Sequence, residues 1–319
     1  MRDHSQAVCM HMYEKMLLIR YSEQKLESLF AEGQVHGTTH LYIGQEAVAA
    51  GVCEALEPKD LILSTHRGHG HCIAKGIDIA AMMAEFLGRE TGCCGGRGGS
   101  MHIADFEHGN LGTNGIVGGG LPLAVGAALA QQMRGENQIT VCFFGDGASN
   151  EGIFHESLNL ASIWKLPVLF VCEDNKYGLS MATSASMNIM DISLRATSYD
   201  MPGKTVDGND VFAVYDQAKN ARAYVLNNGP MLLVCDTYRI SGHSKSDKNV
   251  YRPKDEIERW KKKDPIVQMK KVMLSHKILT KGQINDIEKR AKETVDDAAA
   301  FAQHSPFPSE ETVRNGVYA

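Results

Sequence analysis

The sequence lacks any apolar stretch approaching the roughly 20 residues that a membrane-spanning helix needs. Its first residues carry charges throughout, without an apolar run of the signal-peptide type, so we expect a cytoplasmic protein. A basic surplus is also missing, because the net charge is −5, which argues against binding to nucleic acid or a membrane surface. The 319 residues contain no repeat, low-complexity tract or clear linker, and we predict a single domain.

The cysteines lack the spacing of a disulfide framework. Several of the eight lie inside apolar segments (TVCFF, LFVCED, LLVCDT), so we expect small reduced core residues. Cys93 and Cys94 are adjacent, which argues against a disulfide or a zinc site there. His66, His69 and His71 follow one another in an expected loop without a carboxylate or cysteine partner, so zinc is not favoured there either.

Short apolar segments alternate with helical patterns over most of the chain. The predicted strands lie at 139–144, 168–172 and 231–237, and the predicted helices between them lie at 151–164 and 211–226. This alternation predicts an α/β fold, with a mostly parallel sheet covered by helices on both faces. We divide the domain into an N-terminal helical arm (1–35), a core (36–263) and a peripheral helical tail (264–319).

The segment GDGASNEGIF directly follows the apolar run ITVCFF. Ligands of parallel sheets bind beyond the carboxyl ends of the strands. Gly145 and Gly147 would let backbone N–H groups approach an anion, and Asp146 could hold a cation that bridges to it. The next strand ends at CEDNKYG, where Asn175 lies 29 positions after Asp146. Because the ends of adjacent parallel strands are neighbours, the pair predicts a magnesium site, completed by the carbonyl of Tyr177.

Other interpretations of GDGASN compete with this one. The motif alone is equally typical of a tight turn capped by Asp146. A nicotinamide-dependent dehydrogenase would need a third glycine where the chain has Asn150, and the sequence contains no phosphate-binding G-x-x-x-x-G-K-[ST] loop. A non-catalytic scaffold derived from an enzyme is a further alternative, which the intact Asp146, Asn175 and Arg67 disfavour.

The spacing narrows these alternatives, because GDG, 27 residues and Asn are similar to the thiamine diphosphate motif, whose two ends bind the magnesium of the cofactor. The motifs HLYIGQEAV, STHRGHGHCIAKG, GGRGGSMHIAD, GTNGIVGGG, MPGKTVDGNDVFAVY and YRISGHSKSD accompany it in order, over about residues 10–270. The chain thus resembles the alpha subunits of two-chain 2-oxo acid dehydrogenase first components. STHRGHGHCIAKG and GGSMHIAD resemble acetoin dehydrogenase in particular.

The resemblance implies a thiamine diphosphate-binding fold and a set of cofactor contacts. The implied contacts are His66, Arg67, Gly115, Val117, Asp146, Gly147, Ala148, Asn175, Tyr177 and His243. Asp146, Asn175 and the Tyr177 carbonyl would ligate magnesium. Gly147 and Ala148 would donate backbone N–H groups to the diphosphate.

Four further residues complete the implied cofactor site. Arg67 and His66 would lie at the diphosphate, where a guanidinium forks onto phosphate oxygens. Relatives often carry tyrosine at the position of His66. Gly115 and Val117 would lie along the aminopyrimidine ring.

His40 and His243 are the implied catalytic residues at the mouth of the site, since imidazoles can shuttle protons near neutral pH. Asp174 is a departure, because the family commonly has asparagine there. Its charge beside the site predicts weaker binding of the diphosphate. Ser244 and Ser246 lie where animal pyruvate dehydrogenases carry a regulatory phosphorylation loop, and we predict a loop that the cofactor orders.

The resemblance also implies a partner. The glutamate that activates the cofactor belongs to a beta subunit in this family, and the chain has no second domain to supply it. We therefore predict an α2β2 assembly, with the small-residue helix at 121–130 at a subunit contact. The implied reaction cleaves acetoin to acetaldehyde and a two-carbon unit, which is oxidised and passed to a lipoyl component or an artificial acceptor. Oxidative decarboxylation of pyruvate is the alternative, because GHSKSD looks more like the pyruvate branch.

Overall fold

A computed structural model describes residues 4–314 of the chain. Its main sheet has five strands in the order β1-β2-β3-β7-β6, and all neighbouring pairs are parallel. These strands are β1 Leu61–Leu63, β2 Thr140–Gly145, β3 Val168–Asp174, β6 Gly203–Asp207 and β7 Met231–Asp236. A small antiparallel hairpin, β4 Tyr177–Gly178 and β5 Met181–Ala182, follows β3. The predicted α/β fold with a parallel sheet is confirmed.

Helices surround this sheet. They are α1 Gln6–Ala31, α2 Glu46–Glu54, α3 His69–Lys75, α4 Ile79–Phe86, α5 Gly120–Arg134, α6 Gly152–Ile163, α7 Thr183–Ser186, α8 Val211–Asn228, α9 Lys254–Lys261, α10 Pro265–Ser275 and α11 Lys281–His304. Local signals fix several of their ends. Asp264 caps α10 immediately before a proline at its first position, and Thr280 forms a capping box with Gln283 at the start of α11.

Alternate residues of β3 enter two different cores. Leu169 and Val171 join the cluster on one face of the sheet, whereas Phe170 and Cys172 join the cluster on the other face. A strand side chain can face only one side, so burial of every β3 residue requires cover on both faces. This is why the sequence of β3 is a continuous apolar run rather than an alternating one.

The part of the tail that the structure describes, residues 264–314, is mostly helical, as predicted. Its α11 also places Val295, Ala298 and Ala302 in the same apolar cluster as the sheet strands. The division into arm, core and tail stays a prediction, and its residues 1–3 and 315–319 lie outside the described residues. Between residues 4 and 314, no helix is long and apolar enough to cross a bilayer.

Three local expectations need correction. The segment expected to be a loop after β1 becomes α3, so His69 and His71 lie on a helix. The edge strand β6 was not predicted, because its exposed, polar KTVD sequence carries little apolar signal. Six cysteines are buried as expected, but Cys93 and Cys94 are only partly buried, since the glycine-rich segment around them lies at the surface.

Candidate active site

The two ends of the predicted cation site lie side by side. Gly145 at the end of β2 is in register with Glu173 of β3, so Asp146 and Asn175 follow adjacent strand ends. Thr183 donates a hydrogen bond from Oγ1 to Asp146 Oδ2 at 2.9 Å. Asn175 donates from Nδ2 to Gln45 Oε1 at 3.1 Å, which fixes the orientation of its amide. The predicted neighbourhood of Asp146 and Asn175 is therefore present.

The oxygens at this edge of the sheet suit a hard cation. Asn175 Oδ1 is buried without a hydrogen-bond partner, although buried polar atoms normally have one. Asp146 is 2% exposed, and burial followed by the charge of Asp174 raises its pKa to about 6. The Tyr177 carbonyl accepts from Arg239 Nη1 at 3.2 Å and has a second lone pair. A carboxylate, an amide oxygen and a carbonyl form a donor set that fits magnesium.

The extra charge of Asp174 has a local counterion. Lys176 Nζ lies 2.7 Å from Asp174 Oδ2, and it also forms an ion pair with Asp236. Lys176 has φ of 78°, a left-handed conformation that is uncommon for a residue with a side chain. The turn after β3 therefore places the ammonium group of Lys176 beside Asp174. The positive charge of Lys176 partly neutralises the negative charge of Asp174 at the site.

A cleft of about 380 Å³ opens over these strand ends. Among the predicted residues, its lining includes His66, Arg67, Val117, Asp146, Gly147, Ala148, Asn175, Tyr177 and His243. Its volume lies within the range of ligand and cofactor sites. At its floor, a Cβ on Gly147 would lie 3.4 Å from the Cα of Gly178, so two backbones meet there with little space for a side chain.

Three imidazoles lie together at the cleft, where His66 and His243 line the wall and His40 packs against both. The ring of His40 lies 4.6 Å from that of His66 and 4.9 Å from that of His243, and the rings cross nearly at right angles. Burial, reinforced by the charge of Arg67, lowers the pKa of His40 to about 3, of His66 to about 2 and of His243 to about 4. All three are therefore neutral at physiological pH, and each ring can both donate and accept a hydrogen bond.

Two buried guanidinium groups, of Arg67 and Arg239, place positive charge at the wall of the cleft. Arg67 donates to the carbonyl of Leu41 at 2.5 Å and to that of His243 at 3.0 Å. Burial and the neighbouring Arg239 lower the pKa of Arg67 to about 9, so it still carries its charge at neutral pH. Arg67 is only 3% exposed and lines the cleft, so its side chain does not belong to an ordinary ion pair on the protein surface. Such positive charge fits an anionic ligand such as a diphosphate.

Sequence reasoning missed Arg239. Its guanidinium donates to the carbonyls of Tyr177 and Leu179, and to the hydroxyl of Tyr251 at 2.7 Å. Its Nη1 also lies 3.4 Å from His243 Nδ1. Arg239 thus ties the turn after β3 to the loop that bears His243. The only available signal was its position just beyond a strand, in the quoted YRISGH.

Sequence reasoning also missed Glu173, which lines the cleft from the end of β3. It accepts a hydrogen bond from the hydroxyl of Tyr42, and His71 Nε2 lies 3.4 Å from its carboxylate. His71 Nδ1 bonds Ser64 Oγ at 2.7 Å, whereas His69 bonds Glu23 at 2.9 Å. Both α3 histidines thus have partners other than a metal.

Two of the predicted residues lie apart from the cleft lining. His40 contacts His66 and His243 but does not form part of the wall, and neither does Gly115, although Val117 and Ile116 beside it do. A Cβ on Gly115 would lie 3.9 Å from His102 Nε2. The polar loop with Ser244 and Ser246 is held by Arg252, which donates to the carbonyls of Ile240 and Ser241. Ordering of this loop by a cofactor stays a prediction.

Comparison with known proteins shows the family to which the chain belongs. The family described as "Dehydrogenase E1 component" matches residues 14–311. The alpha subunit of acetoin:2,6-dichlorophenolindophenol oxidoreductase from Bacillus subtilis is 49% identical over 309 residues, covering 96% of this chain and 92% of the relative. The protein of the same name from Cupriavidus necator is 41% identical over 308 residues, covering 96% and 92%. The pyruvate dehydrogenase E1 component subunit alpha of Porphyra purpurea is 40% identical over 316 residues, covering 97% and 92%.

The matched family and the relatives place the chain among the thiamine diphosphate-dependent oxidoreductases. The chain belongs to the dehydrogenase E1 component family. This result confirms the resemblance drawn from the sequence motifs and excludes the nicotinamide-dependent alternative.

Proposed function

We propose that the chain is the alpha subunit of an acetoin dehydrogenase that binds thiamine diphosphate through magnesium. The unpartnered Oδ1 of Asn175 beside the carboxylate of Asp146 is the observation that carries this proposal. A buried oxygen without a donor is costly unless a ligand engages it. The relatives named for acetoin, at 49% and 41% identity, support acetoin as the substrate.

The residues of the chain then divide into three roles. Asp146, Asn175 and the Tyr177 carbonyl would hold magnesium, while Arg67 and the N–H groups that follow Asp146 would hold the diphosphate. When bound, thiamine diphosphate supplies a nucleophilic carbon that can add to a carbonyl and help cleave the adjacent carbon–carbon bond. The apolar and aromatic groups of the cleft would limit the access of water to the bound cofactor.

His243 is our candidate for moving a proton at the cleft, with His40 as its neighbour. Burial and Arg67 hold the pKa of His243 near 4, so its imidazole is neutral and can accept a hydrogen bond from a substrate hydroxyl. The hydrogen bond from His243 N–H to Asp247 Oδ2, at 2.7 Å, fixes the backbone that presents the ring. Because protonated His243 is disfavoured, the proton must pass onward quickly to solvent or substrate.

A beta subunit is the partner that the site requires. Large apolar side chains remain exposed beside the cleft, including Ile116 (72%), Val117 (51%) and Leu123 of α5 (56%). Exposed groups of this size favour a protein interface. We propose that the beta subunit covers them in an α2β2 heterotetramer and contributes the activating glutamate. Transfer to a lipoyl component and a cytoplasmic location belong to the same proposal.

The second candidate is the alpha subunit of a pyruvate dehydrogenase. The relative from Porphyra purpurea carries that name at 40% identity, and the GHSKSD loop also resembles that branch. The two candidates share every cofactor residue and differ only in substrate. Phosphorylation of Ser244 or Ser246 would accompany the second candidate.

Co-expression with a beta subunit of the same family tests the proposal. Reduction of 2,6-dichlorophenolindophenol is measured with acetoin and with pyruvate, in the presence and absence of thiamine diphosphate and magnesium. We expect cofactor-dependent activity with acetoin. A preference for pyruvate would leave the assigned cofactor residues unchanged and would favour the pyruvate dehydrogenase candidate. An intact complex that binds the cofactor but uses neither substrate would overturn both substrate assignments.

A further inference from the structure

A second chemically distinctive cluster lies away from the cleft, in the glycine-rich segment 92–99. This segment folds around the carboxylate of Glu85, which is fully buried. Its two oxygens accept, at 2.6–3.0 Å, the backbone N–H groups of Cys94, Gly96, Gly98 and Gly99. One Glu85 oxygen lies within 4.8 Å of the sulfurs of Cys93 and Cys94, but backbone donors already occupy both oxygens. The carboxylate is therefore unsuited to complete a metal site with the two thiols.

The sulfurs of Cys93 and Cys94 lie within 4.8 Å of each other on this fixed loop. The neighbouring Cys93 thiol lowers the pKa of the Cys94 thiol, and the Ala104 N–H donates to the Cys94 sulfur at 3.3 Å. The other six cysteines are buried. Cys94 is thus the thiol best placed to react, because the thiolate is the nucleophile and these two neighbours stabilise it.

An open cleft of about 580 Å³ borders the two sulfurs. Ile77, Ala81 and Phe106 give it an apolar wall, and the ring of Phe106 is 73% exposed. A reagent carrying a small aryl group could therefore reach both sulfurs and bury its ring against this wall. The position is separate from the cofactor cleft, whose lining contains neither cysteine.

Direct bonding between the two sulfurs is disfavoured by the covalent geometry. Adjacent Cα atoms are about 3.8 Å apart, whereas disulfides usually join Cα atoms roughly 4.4–6.8 Å apart. A third atom between the sulfurs removes this mismatch. The best candidates are soft atoms that form two bonds to sulfur without changing oxidation state.

We propose that Cys93 and Cys94 act together as a capture site for trivalent organic arsenicals. Both thiols attack the arsenic atom of an R–As=O group, so that two arsenic–sulfur bonds form and the arsenic–oxygen bond breaks. The oxygen leaves with the two thiol protons as water. Arsenic remains trivalent, so the step needs neither an oxidant nor a reductant. This inference is independent of the proposed substrate.

The test uses the full chain and phenylarsine oxide, with intact-mass measurement. We expect one equivalent to add with loss of one water, to resist washing with the monothiol glutathione, and to leave with the dithiol 2,3-dimercaptopropanol. Resistance to a monothiol is the signature of two sulfur bonds. C93S and C94S should each lose that resistance, whereas C53S, which changes a buried thiol, should retain it.

Two results would overturn the inference. One is a C93S or C94S protein that still holds the arsenical against glutathione with wild-type stoichiometry. The other is wild-type protein that captures the reagent only in denaturant, which would assign the reaction to buried thiols. Far-ultraviolet circular dichroism of each variant ensures that the comparison is made between folded chains. Neither readout depends on enzymatic activity, so failure here leaves the proposed function unaffected.

Discussion

Glu85 and Asp146 are both buried carboxylates beside glycine-rich segments, and their surroundings differ sharply. Four backbone N–H groups fill the lone pairs of Glu85. Asp146 accepts one side-chain hydrogen bond, from Thr183, and faces the negative charge of Asp174 at the wall of the cleft. Glu85 stabilises a loop through internal partners, whereas Asp146 retains lone pairs for a ligand. Unfilled acceptors, more than burial itself, distinguish the two carboxylates.

Removing the charge of Asp146 should have the largest effect on activity. In Asp146→Asn, replacement of the charged carboxylate ligand by a neutral amide removes several kcal/mol of stabilisation, which corresponds to a fall in turnover on the order of 10³-fold. Dye reduction by the complex with the beta subunit measures this loss. Activity within tenfold of wild type would contradict the assigned role.

The same variant should stabilise the chain without cofactor. Because burial raises the pKa of Asp146 to about 6, the folded chain disfavours the carboxylate above that pH. Its contribution to the free energy of unfolding therefore increases as pH falls from 7.5 towards 4. The neutral amide of the variant avoids the cost, so we expect a gain of about 1–3 kcal/mol at pH 7.5 that shrinks at pH 5. Urea unfolding at both pH values measures it.

The matched change Glu85→Gln should have the opposite sign. Its amide group places donors against backbone donors, so we expect the free energy of unfolding to fall by about 2–4 kcal/mol. Glu107→Gln, at an exposed position of a nearby turn, serves as the control and should change it by less than about 0.5 kcal/mol. Equal urea midpoints for Glu85→Gln and the control would refute a structural role for Glu85.

Asn175→Ala should separate ligand binding from stability. It removes the unpartnered Oδ1, so we expect magnesium affinity to fall at least about tenfold. The hydrogen bond to Gln45 is also lost, at a cost of about 1 kcal/mol to the free energy of unfolding. Magnesium titration of cofactor-dependent fluorescence quenching gives the first value, and Gln45→Ala controls for the lost hydrogen bond. Equal magnesium affinities in the two variants would argue against ligation by Asn175.

Asp174→Asn should have the smallest effect, because Lys176 already balances the charge of Asp174. We expect thiamine diphosphate affinity to rise less than about threefold, as for other compensated pairs. Lys176→Met exposes that charge and should weaken binding more than Asp174→Asn strengthens it. If thiamine diphosphate affinity rose tenfold or more in Asp174→Asn, Lys176 would not be neutralising the charge of Asp174 effectively.

Much of this site could be predicted because its parts are local. The apolar runs before Asp146 and Asn175 predict strands, and parallel pairing of those strands brings the two residues together. The motif around Arg67 likewise predicts a cleft residue. The resemblance to a known family added roles for His40 and His243, which neither composition nor periodicity supplies.

The remaining features depend on contacts distant in sequence. Arg239 reaches the Tyr177 carbonyl from the end of a third strand, and no local pattern indicates that contact. In the sequence, Glu173 is merely a polar residue at the end of a strand. Its contacts with Tyr42 and His71 are formed only in the folded chain. The helix α3 was missed because glycine and histidine, which favour helices weakly, begin it.

The pairing of Gly145 with Glu173 has a consequence for length variation in this part of the chain. The 27 residues that separate GDG from Asn175 contain α6, which lies outside the sheet. An insertion in the connection after that helix leaves both strand ends in place, so the proposed metal-binding pair survives a change of spacing. A one-residue deletion within β3 shifts its end by about 3.3 Å and turns each following side chain to the opposite face. Tolerance to insertion and deletion should therefore follow strand register, even though the motif is recognised by counting residues.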